Sequence, residues 1–347
     1  MKRKIYEFIT LMLMLFMSSC SSNSSEDIAA VADEQTITTK KNSESEKITT
    51  ETKEYHKEMS TEPTTELPTE QQAPEINYIY QHISTDANAV QSFGDIDVAE
   101  SELAKLTELL NTYSNQISFK AVSVDGTKGI SYNSDGEYFA ASAIKAPYLL
   151  YCYQQMDAGN GCLDEEMVYT SKYYSSGTGD IKDSADGTVY TLEEIMRRVI
   201  WNSDNSGYYM CADRWSKEGY NQLMEQIGCD RLKFPAHSIW VYDVKVDDFI
   251  IVWKSIYDYF ETNTEHSKKF YDSTTNCKWS FFGSGIKDSV IAQKYGWTDE
   301  AYCDAGIIYG QNTTYILAVF TDSAGEDIDK NLVTKVVSRI NTIMDGQ

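Results

Sequence analysis

The stretch AASAIKAPYLL, residues 140–150, places a serine and a lysine at the start of an apolar run. If Ser142 opens a helix, the three-residue spacing puts Lys145 on the same face, one turn on. A lysine amine that is partly desolvated and near other cations loses its proton close to neutral pH and can then activate a hydroxyl. The stretch therefore predicts a buried helix, continuing to about Met156, that carries a serine nucleophile and a base. The plainer alternatives are a helix cap for Ser142 and a solvated surface lysine for Lys145.

Size and composition limit the possible functions. The chain has 347 residues, of which 41% are hydrophobic, enough for one large domain or two modest ones. The net charge of −23 argues against a nucleic-acid partner and against electrostatic adhesion to anionic lipid. The sequence has only four histidines and has neither CxxC nor HExxH spacing, so we expect no metal and no cofactor.

The N-terminus has the pattern of an export signal. Residues 2–4 are Lys-Arg-Lys, residues 5–17 are largely apolar, and Ser18 and Ser19 precede Cys20. The apolar run is too short to span a bilayer comfortably. Small residues directly before a cysteine resemble a bacterial lipobox. This implies a signal peptide over 1–20 and lipidation of Cys20, which would anchor the exported protein to the outer face of a bacterial cell membrane. Ordinary secretion is the alternative.

The rest of the chain divides into a stalk and a folded domain. Residues 21–75 are rich in Ser, Thr and Glu and contain too little apolar surface to fold, which predicts a disordered stalk. Residues 76–347 form the predicted domain, which we expect to be a monomer. Its six cysteines permit disulfides, but no spacing singles out a pairing, and buried free thiols are an equal alternative.

Hydrophobic periodicity gives the order of elements in the domain. A helix over about 99–113 is followed by a hairpin at 119–132, a helical middle segment, three strands between 290 and 321, and a closing helix over 328–343. The hairpin and the three strands can share one antiparallel sheet. We therefore predict an α+β fold: a five-stranded antiparallel sheet flanked by the N- and C-terminal helices, plus an all-helical lobe.

Three polar motifs are expected at the cleft between lobe and sheet. They are Ser142 with Lys145, the triplet Ser203-Asp204-Asn205, and Lys294-Tyr295-Gly296. Their order and spacing resemble the class A serine β-lactamases and their penicillin-binding relatives, whose signatures are SxxK, SDN and KTG. The resemblance covers roughly residues 101–344. A second SxxK at Ser284 lacks an apolar helix behind it, and we interpret it as a coincidence.

The resemblance implies a role for each residue. Ser142 is the nucleophile, Lys145 its base, and Ser203 relays a proton to the departing nitrogen. Asn205 holds Lys145 and a substrate amide, and Lys294 supplies positive charge for a substrate carboxylate. Gly296 belongs to the same substrate-binding strand, and the backbone N–H groups of Ser142 and Trp297 form the oxyanion hole. An ordinary helix N-cap at the SDN triplet and an exposed strand lysine at position 294 are the structural alternatives.

Two departures from the family pattern bear on function. Tyr295 replaces the small hydroxyl residue of KTG. The segment 231–242 contains neither Asp nor Glu, whereas class A enzymes use a glutamate after SDN to activate the deacylating water. Asp230 and Asp243 flank the segment, and His237 within it is the only other candidate base.

These observations predict a serine hydrolase that forms an acyl-enzyme on Ser142. Its expected substrate is a β-lactam or a related, peptidoglycan-like acyl compound. A slowly deacylating β-lactam sensor or penicillin-binding-type protein is the first alternative, and a non-catalytic envelope lipoprotein is the second.

Overall fold

The computed structural model describes residues 88–94, 96, 100–112, 116–322 and 330–346. The predicted signal peptide, Cys20 and the stalk lie outside these residues. Within the described part of the chain, no helix combines the length and apolar character needed to cross a membrane.

The described residues contain eight strands. They are β1 (Gln91–Gly94), β2 (Ile117–Ser123), β3 (Lys128–Tyr132), β4 (Glu166–Val168), β5 (Val189–Thr191), β6 (Val290–Trp297), β7 (Tyr302–Tyr309) and β8 (Thr314–Thr321). Six of them form one sheet in the order β1-β3-β2-β8-β7-β6, with every neighbouring pair antiparallel. The central strands β7 and β8 are almost wholly buried, as expected for a sheet that is covered on both faces.

The antiparallel α+β architecture is confirmed, but the predicted number of strands is wrong. The main sheet has six strands because β1 adds to its edge beside β3, through the pairs Gln91–Ser131 to Gly94–Lys128. β1 is only four residues long and half exposed, so it carries too little alternation to be recognised from sequence. The predicted all-helical lobe also contains β4 and β5, which pair as a separate ribbon.

The helices fall into two groups. In chain order they are α1 (Glu100–Asn111), α2 (Lys145–Asp157), α3 (Leu192–Trp201), α4 (Asn205–Arg214), α5 (Lys217–Gln226), α6 (Val246–Glu261), α7 (Glu265–Thr275), α8 (Phe282–Gly285) and α9 (Lys330–Asp345). The terminal helices α1 and α9 pack on one face of the sheet, where Leu106 and Leu110 meet Val333 and Val337. The helices α2 to α7 and the other sheet face share a second apolar core, built around Tyr148, Trp253 and Phe320.

A buried ion pair links the sheet to the helical lobe. Lys120 on β2 and Asp247 in the first turn of α6 lie 2.8 Å apart, with side chains 1% and 7% exposed. A charge that loses its partner in such a site keeps its desolvation penalty without compensation.

We expect Lys120→Ala to destabilise the domain by about 3–5 kcal/mol, because the buried Asp247 carboxylate loses the cation that lies 2.8 Å away. The double variant Lys120→Met/Asp247→Leu should regain most of that loss, since both charges are removed together. Urea unfolding followed by circular dichroism measures both free energies. A double variant as unstable as the single one would contradict this account.

Candidate active site

Ser142 lies on a tight turn at the start of the predicted helix. Residues Ala141–Ile144 form a 3-10 turn, and the α-helix begins at Lys145. Ala141 has φ of 46°, a left-handed conformation that is uncommon for a residue other than glycine. Such conformations persist only where the surroundings enforce them, and they cluster at functional sites.

Lys145 is completely buried and joins two motifs. Its Nζ donates to the Ser203 carbonyl oxygen at 2.6 Å, to Ser203 Oγ at 3.1 Å and to Asn205 Oδ1 at 2.6 Å. It also lies 5.7 Å from the ring centroid of Tyr208 and 5.5 Å from that of Trp240. The structure therefore brings Lys145, Ser203 and Asn205 together, and Ser142 lines the same cleft as Ser203.

The charge of Lys145 is strongly disfavoured. Burial, and then the positive charge of Lys294, hold the pKa of Lys145 well below its usual value, although Asp204 acts in the opposite direction. An amine of lowered pKa is unprotonated over more of the neutral range, which is the state that a base requires.

The SDN turn is held by its own aspartate. Asp204 caps α4 by accepting from the Gly207 N–H at 2.8 Å, and it also accepts from the backbone N–H groups of Asp180 and Ile181. Ser203, directly before it, has φ of 60°. The helix-cap interpretation thus holds for Asp204, while Ser203 and Asn205 on either side of it contact Lys145.

The loop 175–180 supports this turn, and sequence reasoning missed it. Asn205 Nδ2 donates to the Ser176 carbonyl at 2.7 Å, and Thr178 Oγ1 donates to the Ser203 carbonyl at 2.7 Å. A Cβ on Gly179, which has φ of 99°, would lie 2.3 Å from the Asp204 side chain. Two glycines separated by one residue, Gly177 and Gly179, are the sequence signal that could have identified a close approach of two backbone segments here.

Strand β6 forms the opposite side of the site. A Cβ on Gly296 would lie 2.7 Å from the Ser142 backbone nitrogen and 2.6 Å from the Ala140 oxygen. Only glycine therefore lets β6 approach the Ser142 turn this closely. The backbone of Trp297 follows directly, so the two segments expected to form the oxyanion hole are neighbours.

Lys294 is present at the site, but its amine is covered. The side chain is fully buried, Nζ donates to the Tyr295 carbonyl at 2.6 Å, and Nζ lies 4.1 Å from the Tyr295 ring centroid. Burial lowers the pKa of Lys294 to about 8, although Cys277 and Asp304 act in the opposite direction.

A cleft of about 430 Å³ opens beside Ser142. It is lined by Ser142, Thr178, Ser203, Trp279, Ser280, Phe281, Ser284, Tyr295, Trp297 and Thr334. The second SxxK serine thus faces the same cleft. However, Ser284 Oγ donates to the Phe281 carbonyl, and Lys287 Nζ donates to the Gly283 carbonyl, so Lys287 forms no counterpart of the Lys145 network.

The segment after SDN offers no obvious base. It is tied to the chain before Ser142 by the Ala140 N–H, which donates to the Val241 carbonyl at 3.1 Å, and it turns the indole of Trp240 towards Lys145. His237 lines a different cavity, together with Lys172 and Asp213. The described residues that line the Ser142 cleft include no carboxylate.

No metal-binding cluster of three or more His, Cys, Asp or Glu side chains occurs within the described residues. The six cysteines outside the N-terminal segment are all unpaired in the structure.

Comparison with known proteins agrees with this geometry. A family profile described as the β-lactamase enzyme family matches residues 102–344. The chain belongs to the β-lactamase enzyme family. No curated protein matches the chain significantly.

Solved structures show the same fold at low sequence identity. A β-lactamase from Sphaerobacter thermophilus is 19% identical, with a TM-score of 0.61 over 71% of this chain and 97% of that one. The structure of PBP-A is 18% identical, with a TM-score of 0.63 over 72% and 97%. A PBP-A variant in an acyl-enzyme complex with penicillin G is also 18% identical, with a TM-score of 0.63 over 70% and 95%.

The state of Lys145 predicts a pH dependence. A base acts when unprotonated, so acylation of Ser142 should rise with pH through the lowered pKa of Lys145 and level off well below the ordinary lysine value of 10.5. Lys145→Arg, which stays protonated, should reduce the rate at least about a hundredfold at every pH. Intact-protein mass spectrometry of the protein incubated with benzylpenicillin from pH 5 to 9 gives the rates of acylation. Lys287→Arg is the matched control and should behave like the wild type; a flat profile would contradict the role of Lys145.

Proposed function

We propose that this protein is acylated at Ser142 by β-lactams or by related, peptidoglycan-like acyl compounds, and that it releases the acyl group slowly. The observation that carries the proposal is the buried Lys145 amine, which is placed one turn from Ser142 and bonded to Ser203 and Asn205.

The acylation step uses groups that lie together in the site. Ser142 Oγ attacks the carbonyl carbon while its proton passes to the Lys145 amine. The backbone N–H groups of Ser142 and Trp297 stabilise the negative charge on the carbonyl oxygen. When the C–N bond breaks, the nitrogen takes a proton relayed by Ser203, which lies 3.1 Å from Lys145 Nζ. The product is an ester on Ser142.

Slow release follows from what faces Lys145. Deacylation needs a base that draws a proton from water on the ester, and a carboxylate is the usual group for this in class A enzymes. Here the indole of Trp240 lies 5.5 Å from Lys145 Nζ, and the described lining of the cleft has no Asp or Glu. This favours a penicillin-binding-type protein or sensor over a fast hydrolase.

Incubation with benzylpenicillin should give an adduct on the Ser142 peptide that persists after free drug is removed. Ser142→Ala should abolish the adduct, and Ser284→Ala should not, because Ser284 has no such base. Peptide mass spectrometry over time measures formation and decay. Rapid loss of the adduct with product release would indicate an efficient hydrolase, and the absence of any adduct would favour a non-catalytic envelope protein.

Placing a carboxylate at position 240 should speed release. We expect Trp240→Glu to shorten the lifetime of the penicillin adduct at least about tenfold, because general-base catalysis of water attack is typically worth that much or more. Trp240→Gln, of the same size as glutamate but without its charge, is the control. Equal adduct lifetimes in the two variants would show that water activation is not what limits release.

A further inference from the structure

We propose that the cleft beside Ser142 selects substrates whose group next to β6 is uncharged and aromatic. Neutral acyl compounds should then acylate Ser142 faster than their carboxylate counterparts. This inference rests on acylation at Ser142, as proposed above, and adds the class of substrate.

The wall of the cleft opposite the lobe is aromatic. Trp279 is 59% exposed and Trp297 41% exposed, so both rings offer apolar surface to the cleft that they line. Phe281 packs edge-on against Trp297, with ring centroids 6.2 Å apart, and Tyr295 completes the wall. Exposed rings fixed in this way offer flat faces on which a ligand ring can stack.

The polar groups of the cleft are uncharged. Ser142, Thr178, Ser203, Ser280, Ser284 and Thr334 supply hydroxyls, and the described residues that line the cleft include no lysine, arginine or histidine. A carboxylate that enters such a site gives up its hydration, and no lysine, arginine or histidine among the described lining residues offsets that costly loss.

Lys294 is not among the described residues that line the cleft. Lys294 is fully buried, and its amine is bonded to the Tyr295 carbonyl and lies over the Tyr295 ring. The bulky ring at position 295 stands where the KTG pattern has a small hydroxyl. Lys294 can therefore serve the local structure without contacting a substrate anion.

A buried carboxylate lies behind the same wall. Asp304 on β7 is paired directly with Tyr295 across the sheet and is fully buried. Its Oδ2 accepts from the Tyr302 hydroxyl at 2.8 Å, while Oδ1 has no hydrogen-bond partner within the described structure. Burial raises the pKa of Asp304 to about 7, so the negative charge that it carries above that pH offsets the positive charge of Lys294 and repels an anion at the wall.

The net charge of the whole chain also disfavours anionic substrates. With a net charge of −23, long-range electrostatics slow the approach of anionic substrates relative to neutral ones. The local and the global charge distributions therefore act in the same direction.

The test compares benzylpenicillin with its methyl ester, which differs only by the capped carboxylate. Each rate of Ser142 acylation is divided by the rate of the same compound with hydroxide, which removes the difference in intrinsic reactivity. We expect the ester to be at least about tenfold faster on this scale, since one unpaired polar group typically costs that much. An equal or faster acid would overturn the inference while leaving acylation at Ser142 established. If neither compound labels Ser142, the proposed function itself fails.

Three variants identify the residues responsible. Asp304→Asn and Tyr295→Thr should each lower the ester-to-acid ratio at least about threefold, because they remove the opposing charge and uncover Lys294. Trp279→Ala should slow both compounds by a similar factor of about three to ten through lost stacking, leaving the ratio nearly unchanged. Melting temperatures check that each variant is folded. If the ester-to-acid ratio stays at the wild-type value in both Asp304→Asn and Tyr295→Thr, these two residues do not determine the preference for neutral compounds.

Discussion

The burial of one lysine amine organises this protein. Lys145 begins α2, and its hydrogen bonds reach the turn between α3 and α4, so two separate parts of the helical lobe are fixed to each other beside Ser142. Burial supplies both the rigidity and the chemistry. A solvated lysine would be protonated and free to rotate, whereas this amine lies within hydrogen-bond distance of three oxygen atoms and has a lowered pKa. The same burial therefore underlies the structural role of Lys145 and the role of base that we propose for it.

The surrounding backbone is strained and closely packed because it must present these groups precisely. Ala141 and Ser203, each next to or within a motif, adopt left-handed conformations, and Gly296 lets β6 contact the Ser142 turn. Most of these constraints involve backbone atoms, so side-chain patterns reveal them poorly. The positions of these side chains therefore depend on how the Ser142 turn, the Ser203 turn and β6 pack against one another. None of these segments alone would produce the arrangement.

The sequence predicted what depends on local pattern or on a motif of fixed spacing. Local pattern predicted the amphipathic helices α1, α6 and α9 and the strands β6 to β8. Motif spacing predicted that Lys145 and Ser203 would lie close together. The strand β1 escaped detection because four half-exposed residues acquire order only by pairing with β3. The loop 175–180 and the wall of Trp279 and Phe281 were missed for a similar reason: they matter only through neighbours that are distant in sequence. Local pattern thus predicts elements, whereas tertiary contact determines the shape of the cleft.

The effect of neighbouring charges on the pKa of Lys145 explains why acylation and release of the acyl group favour different surroundings for this amine. A carboxylate set against Lys145 would activate water, but it would also stabilise the ammonium and raise the pKa of the amine. A chain that relies on neutral Lys145 as its base for attack therefore gains from an uncharged neighbour, and Trp240 is one. In the reaction proposed for this protein, the uncharged neighbour of Lys145 therefore favours capture of the acyl group over its release, and the aromatic, uncharged lining of the cleft would extend that preference to the substrate.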